Sequence, residues 1–399
     1  MENFPPIREF LIIVVFTYQG NICIIPPVQR LATMKRRLHA PDMHMRGNHM
    51  TISADGSATI KDVAAHAAVS VATVSAVING NKYVSPELAQ RVRESVIALG
   101  YKRNNFALGL KKQVSYSIGL IVPDIMNPFF TNIARGVEDV ANAHNYSLML
   151  GNTDEDPEKE KKYLQLLESK QADGLIIAVT ARSHEYLQAL SIRHLALVSV
   201  DRSLFDLGID TIMVNNRAGA RAAVEHLIAL GHRRIGLVTG IRGIAPTEER
   251  LLGYIEALEK HGIEVDPALI ALENARVNGG EHGTAQLLAL AERPTALFMM
   301  DGTMAIGALQ AIAKADLRCP EDIALACFDD FTWASVMRPH LTVIEQPTYE
   351  IGKQAAHLLF ERLQNRKREP REIRLPTRLI VRESCGSQLH RSDLTRRIS

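Results

Sequence analysis

The stretch that decides the fold of the first domain is TIKDVAAHAAVSVATVSAVING, residues 59–80. Apolar side chains recur there at helical spacing behind Thr59, a residue that can cap a first turn. Ser70 interrupts this pattern and begins a second helix, which Asn79-Gly80 ends. Ser85-Pro86 begins a third helix with apolar positions facing the other two. The sequence therefore predicts a helix-turn-helix unit with a three-helix core.

The charge of the chain is unevenly distributed. Residues 58–112 carry eight Lys and Arg against three Asp and Glu, whereas residues 113–399 carry 32 against 37. Because Lys and Arg neutralise phosphates, the first segment has the composition of a nucleic-acid-binding unit. In a helix-turn-helix unit the second helix lies in the major groove. Double-stranded operator DNA is therefore the predicted partner.

The ordered signature in residues 59–79 resembles the headpiece of the LacI/GalR family of transcription regulators, and the resemblance extends over residues 58–384. It implies a sequence-specific repressor that binds DNA as a homodimer. It also implies a hinge whose Leu110 side chain wedges into the minor groove. The DNA-binding residues implied by the resemblance are Thr59, Ser70, Val71, Ala72, Thr73, Ala76, Asn79, Tyr101, Leu110 and Lys111.

The base-reading positions depart from the family pattern. By resemblance they are Val71, Ala72 and Ala76, and all three are apolar. They can touch thymine methyl groups, but they cannot form the bidentate hydrogen bonds that read guanine or adenine. Specificity is therefore expected to depend more on DNA shape and half-site spacing. The positions matched to phosphate contacts, for which hydroxyl and amide donors suffice, are Ser70, Thr73, Asn79 and Tyr101.

From residue 115 onward, continuous apolar runs alternate with helical patterns. Such runs are typical of strands buried in parallel sheets. The region is too long for one sheet, so we expect an α/β core of two doubly wound parallel-sheet subdomains with a cleft between them. The resemblance implies the same periplasmic-binding-protein-like core. The predicted strands are 117–123, 146–150, 174–179, 195–200, 234–239, 296–300 and 323–328.

Polar and aromatic side chains follow several of these strands. Ligands of doubly wound sheets bind at the carboxyl ends of strands. Aromatic rings can cover the C–H face of a sugar, and charged side chains can bind its hydroxyls. The sequence therefore predicts a small sugar as effector, and the resemblance to ribose-type regulators implies a pentose or a related sugar. The candidate effector-binding residues are Asn127, Phe129, Phe130, Asp201, Arg202, Arg250, Asp301, Asp329 and Gln346.

These positions resemble the pocket of ribose-binding proteins and ribose-type regulators, with one departure. Where relatives carry Asn followed by Asp, this chain has Asp301-Gly302. Because an ionised Asp only accepts hydrogen bonds, the identity of the sugar stays open. Further carboxylates at Asp201 and Asp329 disfavour an acidic sugar, although nearby arginines could offset them. Purine-binding relatives carry an additional Arg near position 244, which is Ile244 here, and this disfavours a purine.

Each pocket assignment has a structural alternative. Phe129 and Phe130 could be core residues of an amphipathic helix, and Asp201-Arg202 could be a surface pair. Arg250, beside two glutamates, could be a solvated charge. Asn127-Pro128 places a helix start at the end of a strand, which favours a ligand-facing role for at least one of the two rings.

The motif content argues against an enzyme. No P-loop, HExxH, nucleophile elbow or GxGxxG after a strand occurs, and the carboxylates are distributed as ligand clamps rather than as an acid and base pair. Cys23, Cys319, Cys327 and Cys385 show no CxxC spacing, so neither disulfides nor zinc are predicted. We therefore expect a cytoplasmic protein with no catalytic residues, no cofactor and no metal.

Residues 1–57 are predicted to be an extension that is disordered or results from an upstream start assignment. Its apolar run at 10–16 is too short to span a membrane. A signal peptide is the alternative, but acidic residues flank the run and no clear cleavage site follows. The predicted domains after it are a helix-turn-helix domain at 58–103, a hinge helix at 104–113, an effector and dimerisation domain at 114–385 and a frayed tail at 386–399.

Three functions are compatible with these sequence features. The leading one is a homodimeric repressor whose operator affinity changes when a sugar closes the cleft. The alternative is a secreted sugar-binding component of a transporter, which would leave the basic helical unit without DNA to bind. A sugar-modifying enzyme comes third, because the chain lacks a catalytic group.

Overall fold

The computed structural model describes residues 58–80, 82–101, 114–180 and 195–389, together with the backbone of two strands, β1 (Val15–Tyr18) and β2 (Asn21–Ile24). β1 and β2 pair antiparallel, a ribbon that the prediction of a disordered extension did not include. The chain divides into two compact units, Met1–Arg103 and Asn104–Ser399. The predicted hinge helix and residues 390–399 of the predicted tail lie outside the described residues.

The helix-turn-helix unit contains three short helices, each capped by a Ser or Thr side chain, as the sequence predicts. The second helix ends at Gly80, whose φ of 63° is a left-handed conformation that glycine adopts without strain. Val63, Val74 and Val92 form the fully buried centre between the helices. The helices are α1 (Ile60–His66, capped by Thr59), α2 (Val71–Asn79, capped by Ser70) and α3 (Pro86–Ala98, capped by Ser85).

The larger unit alternates strands with helices along most of its length. In chain order its elements are β3 (Ser117–Val122), α4 (Pro128–Ala143), β4 (Ser147–Asn152), α5 (Pro157–Ser169), β5 (Gly174–Ile177), β6 (Ala196–Val200), β7 (Asp210–Val214), α6 (Asn216–Ala229), β8 (Ile235–Thr239), α7 (Ala245–Lys260), β9 (Ile270–Leu272), α8 (Val277–Leu288), β10 (Ala296–Met299), α9 (Gly302–Lys314), β11 (Ala324–Phe328), β12 (Thr342–Glu345), α10 (Thr348–Gln364), β13 (Glu372–Leu375) and β14 (Arg378–Ile380).

These strands form two six-stranded sheets. The first has the order β13-β7-β6-β5-β3-β4 and is parallel throughout. The second has the order β14-β12-β11-β10-β8-β9, with only β14 antiparallel to its neighbour. The chain crosses between the sheets after β7, after β12 and after β13, so each sheet contains late strands of the sequence. The carboxyl ends of the parallel strands position the cleft described below.

The predicted α/β class with two doubly wound subdomains is confirmed. All seven predicted strands correspond to observed ones, within a few residues at each end. Within the larger unit, five other strands were not predicted from the sequence: β7, β9, β12, β13 and β14. Three of these, β9, β13 and β14, lie at sheet edges, have three or four residues and are only partly buried, so they lack the long apolar run of a central strand.

Among the described residues no single helix is long and apolar enough to cross a membrane. Residues 60–66 and 71–78 pass that test only as a pair, and they are bent by 106° at the turn between them.

Candidate functional site

The start of α2 gathers hydroxyl groups at an exposed helix end. Ser70 is exposed, and its Oγ accepts a hydrogen bond from the backbone N–H of Thr73 at 3.0 Å. The two side-chain oxygens of Ser70 and Thr73 lie 2.9 Å apart. A helix start also presents unpaired backbone N–H groups and positive partial charge, so a phosphate oxygen is favourably bound there.

The three predicted base-reading residues differ in exposure. Val71 is 42% exposed and Ala72 is exposed as well, whereas Ala76 is 7% exposed. The Ala76 methyl group therefore offers little surface to a base. Within α2, the apolar surface for contact with thymine methyl groups comes mainly from Val71 and Ala72.

The other predicted DNA-binding residues have structural roles or lie outside the described part. Thr59 forms a capping box at the start of α1, and Tyr101 packs half-buried against the three-helix core. The side chain of Asn79, like Leu110 and Lys111, is outside the described residues. The contacts of all these residues with DNA stay predictions.

A cleft of about 330 Å³ lies at the carboxyl ends of strands from both sheets. Its lining includes all nine side chains that the sequence predicts as effector-binding, and their contact with a ligand stays a prediction. They are Asn127, Phe129 and Phe130 at the start of α4, Asp201 and Arg202 after β6, Arg250 in α7, Asp301 before α9, Asp329 after β11 and Gln346 after β12.

Arg202 is held in one wall of the cleft by a bidentate ion pair. Its Nη1 and Nη2 atoms donate to the Glu155 carboxylate at 2.8 and 2.5 Å, and Nη1 also donates to the backbone oxygen of Val179. Arg202 and Asp201 are 7% and 9% exposed. The alternative of a surface pair is therefore wrong, and the guanidinium is fixed in orientation.

Arg250 is held in place by residues of the second subdomain. Its Nε donates to Asn216 Oδ1 at 2.8 Å, and Nη1 donates to the backbone oxygen of Met300. The guanidinium carbon lies 3.8 Å from the centre of the Phe328 ring, a cation–π contact. Arg250 is 7% exposed, so the alternative of a solvated charge is wrong.

Two helix caps meet across the cleft. Asn127 caps α4 in the first subdomain, and Asp301 caps α9 in the second through a hydrogen bond from the Thr303 N–H at 2.7 Å. The Asn127 Nδ2 atom donates to Asp301 Oδ2 at 3.0 Å. This hydrogen bond joins the two subdomains directly at the cleft.

Burial raises the pKa of two acids of the cleft, Asp201 and Asp329. The Asp329 carboxylate accepts from the Gln346 side-chain amide at 2.5 Å and from the Gly302 N–H at 3.2 Å. Desolvation by burial, followed by the nearby charge of Asp301, raises the pKa of Asp329 to about 7. Its φ of 72° is a left-handed conformation, uncommon for a residue other than glycine and typical of functional positions.

The two aromatic rings at the start of α4 belong to the core and also line the cleft. Phe129 and Phe130 are 4% and 7% exposed and belong to the core of the first subdomain, yet both line the cleft. Their rings meet edge to face at 4.9 Å between centroids. The Phe331 ring accounts for the glycine at position 302, because a Cβ there would lie 2.5 Å from this ring. The Asp301-Gly302 departure thus creates room for an aromatic ring beside the cleft.

Several charged residues of the cleft were not predicted from the sequence. Asp124, Asp154 and Glu155 follow strands β3 and β4, whose carboxyl ends were predictable, so their positions carried a usable signal. Arg276 carried none, because it follows the short, unpredicted strand β9. Arg276 lies 3.8 Å from both Asp124 and Asp154, which places these charges at the cleft mouth. Among the described residues, no group of three His, Cys, Asp or Glu side chains is arranged to hold a metal ion.

Asp329→Asn should stabilise the protein at pH 8. The folded-state pKa of Asp329 is raised from 3.8 to about 7, so stability is lost as the pH rises through this interval and the carboxylate ionises. The neutral amide avoids this cost, at most about 4 kcal/mol at 1.36 kcal/mol per pKa unit. Urea unfolding at pH 4 and pH 8 measures the difference. A variant that is less stable than the wild type at both pH values would contradict the prediction.

Comparison with known proteins agrees with this architecture. Residues 59–104 match the bacterial regulatory proteins of the lacI family, and residues 224–385 match the periplasmic binding protein-like domain. The ribose operon repressor of Halalkalibacterium halodurans is 35% identical over 326 residues, which cover 82% of this chain and 96% of that protein.

Solved structures show the same relationship. A LacI-family regulator from Enterococcus faecium with bound ribose has a TM-score of 0.63 and 32% identity, covering 67% of this chain and 98% of that one. The lac repressor dimer bound to operator and the anti-inducer ONPF has a TM-score of 0.74 and 26% identity, covering 82% and 99%. With matched regulators that extend from the helix-turn-helix unit through the cleft domain, the chain belongs to the LacI family of bacterial regulatory proteins.

Proposed function

We propose that this protein is a homodimeric transcriptional repressor whose operator affinity is controlled by a small sugar in the cleft. The observation that carries the proposal is that one cleft gathers the fixed guanidinium groups of Arg202 and Arg250, two aromatic rings and several carboxylates, among them those of Asp201, Asp301 and Asp329. Such a set binds polyols, because it combines hydrogen-bonding charges with apolar ring surface. The relative solved with ribose supports this ligand class.

The helix-turn-helix unit supplies the DNA-binding function. Ser70 and Thr73 are proposed to bind phosphate, and Val71 and Ala72 to contact thymine methyl groups. Two copies of the chain would provide two half-sites, which supports the proposed homodimer. DNA as the target implies that the protein acts inside the cell, and a secreted transporter component is therefore not favoured. No catalytic role is proposed for any residue of the cleft.

The test uses the full chain. DNA sites that the protein binds are first selected from a random duplex library. The affinity of the protein for the enriched duplex is then measured by fluorescence anisotropy. This measurement is made without a sugar and with neutral, amino, acidic and phosphorylated sugars. We expect a palindromic site and at least one sugar that changes affinity by about 5- to 150-fold, the usual range of allosteric coupling. A duplex with scrambled half-sites is the control. Enriched sites without dyad symmetry, or an affinity that no sugar changes, would contradict the proposal.

A further inference from the structure

The cleft has an excess of negative charge. Its lining contains six carboxylates, those of Asp124, Asp154, Glu155, Asp201, Asp301 and Asp329, against the guanidinium groups of Arg202, Arg250 and Arg276. An anionic effector would have to enter against this excess, whereas a cation would reduce it.

The guanidinium groups are already engaged by other partners. Arg202 pairs with Glu155, and Arg276 lies near Asp124 and Asp154. Arg250 donates to Asn216 and Met300 and stacks on a ring. The charge of Arg250 is not neutralised by these uncharged acceptors, and it acts on Asp201 and Asp329 without forming an ion pair at close distance. Six carboxyl groups thus face three guanidinium groups in the cleft.

Among the described residues, Asp301 and Asp329 are two of the cleft's carboxyl groups that form no ion pair. Their hydrogen-bond donors are uncharged: the amide of Asn127 and the N–H and hydroxyl of Thr303 for Asp301, and the amide of Gln346 and the N–H of Gly302 for Asp329. Within the described part of the chain, neither carboxylate has a Lys, Arg or His partner at ion-pair distance. The Gly302 N–H links the two acids, since it directly follows Asp301 and binds Asp329.

An unpaired acceptor lies beside them. Gln346 is 6% exposed, its Nε2 donates to Asp329, and its Oε1 is buried with no hydrogen-bond partner. A buried polar atom without a partner costs stability and is expected to find one in a ligand. Three neighbouring residues of the cleft thus present acceptors: Asp301, Asp329 and Gln346.

An ammonium group matches this arrangement better than a hydroxyl does. It offers three donors and a positive charge, whereas a hydroxyl offers one donor and no charge. An Asn at position 301 would offer a donor as well as an acceptor, which suits a hydroxyl. The side chain at position 301 therefore changes the kind of group that the cleft can recognise.

We propose that the effector is an amino sugar, or a similar aminated polyol, whose ammonium group binds between Asp301, Asp329 and Gln346. The inference rests on the proposed function and specifies its ligand class. The rest of the sugar then lies against Phe129 and Phe130 and within reach of the arginines. Since a bound cation favours the ionised form, it would lower the raised pKa of Asp329, and binding at pH 6 would release a proton.

The experiment compares sugars that differ only at the amine. Glucosamine, galactosamine and mannosamine are paired with glucose, galactose and mannose, and N-acetylglucosamine serves as the uncharged amide. Binding to the full chain is measured by calorimetry and by the fluorescence of Trp333, the single tryptophan, whose ring lies 5.1 Å from that of Phe331 beside the cleft. We expect at least one amino sugar to bind about 10- to 100-fold more tightly than its neutral counterpart, as charged hydrogen bonds exceed neutral ones.

Asp301→Asn identifies the responsible residue. This variant keeps the cap of α9 but removes the charge, so it should bind the amino sugar at least tenfold more weakly and lose the preference over the neutral sugar. Asp316→Asn is the matched control, because Asp316 is exposed after α9 and lies outside the cleft lining. It should bind both sugars as the wild type does.

Two results would overturn the inference. A neutral sugar that binds the wild type as tightly as its amine does, or an unchanged preference in Asp301→Asn, would exclude the ammonium site but leave a sugar effector. Binding of none of the sugars by a protein that still binds its DNA site would instead overturn the proposed sugar effector, and the ammonium site with it.

Discussion

Asp210→Ala is expected to lower the free energy of unfolding by about 3–5 kcal/mol, the usual cost of removing one partner of a buried ion pair. Asp210 is fully buried at the start of β7. Its carboxylate accepts from Arg362 at 3.0 and 2.9 Å, from Arg368 at 2.6 Å and from the Arg371 N–H at 2.8 Å. The alanine variant leaves two poorly exposed guanidinium groups without their shared anion.

Urea unfolding followed by Trp333 fluorescence tests this prediction, because the single tryptophan reports on the larger unit alone. Glu361→Ala is the matched control. Glu361 pairs with Arg371, but their side chains are 50% and 48% exposed, so this substitution should cost less than about 1 kcal/mol. If the two substitutions lowered the free energy of unfolding equally, burial would not explain how much the ion pairs of Asp210 contribute to stability.

Asp210 and the arginines that bind it lie away from the cleft, so their effect on stability can be measured apart from effector binding. Asp210 lies at the amino end of β7, and the arginines that bind it lie at the end of α10 or before β13. The cleft is at the carboxyl ends of the strands. Asp210→Ala should therefore weaken the folded state without removing any group that lines the cleft.

Most of the nine cleft residues could be predicted because they follow long apolar strands that are recognisable in the sequence, whereas Gln346 follows the unpredicted β12 and Arg250 lies within α7. The residue after such a strand lies at the carboxyl edge of the sheet, and this rule placed Asp201 and Asp329 correctly. Arg276 was not predicted by this rule, because it follows β9, a strand of three residues of which one is buried. The near burial of Ala76 was not predicted either, since a small residue at a helical position carries no signal of which face it occupies.

The interactions between the cleft residues could not be read from the sequence. Asn127 and Asp301 are 174 positions apart, and only the packing of the two subdomains makes them hydrogen-bond partners. The raised pKa of Asp329 likewise follows from burial beside Asp301, a tertiary property. Residue types predicted a sugar site, whereas its charge balance emerged from the structure.

Arg250→Ala is expected to weaken effector binding by more than about 100-fold, because it removes a buried charged donor from the cleft. It also leaves the acceptors of Asn216 and Met300 without their partner and empties the space above Phe328. Some of its effect on binding could therefore come from a disturbed fold.

Arg250→Lys separates these contributions. Lysine keeps the positive charge but lacks the planar guanidinium group, which donates to Asn216 and Met300 while it stacks on the Phe328 ring. We therefore expect a folded protein whose effector binding is weakened about 10- to 100-fold. The variant should bind its operator as tightly as the wild type does in the absence of effector, but the effector concentration that changes operator affinity should rise by the same factor. Arg221→Ala, at a half-exposed position of α6 outside the cleft, is the control and should respond normally. A change in the operator affinity of Arg250→Lys at the effector concentration that suffices for the wild type would show that Arg250 does not bind the effector.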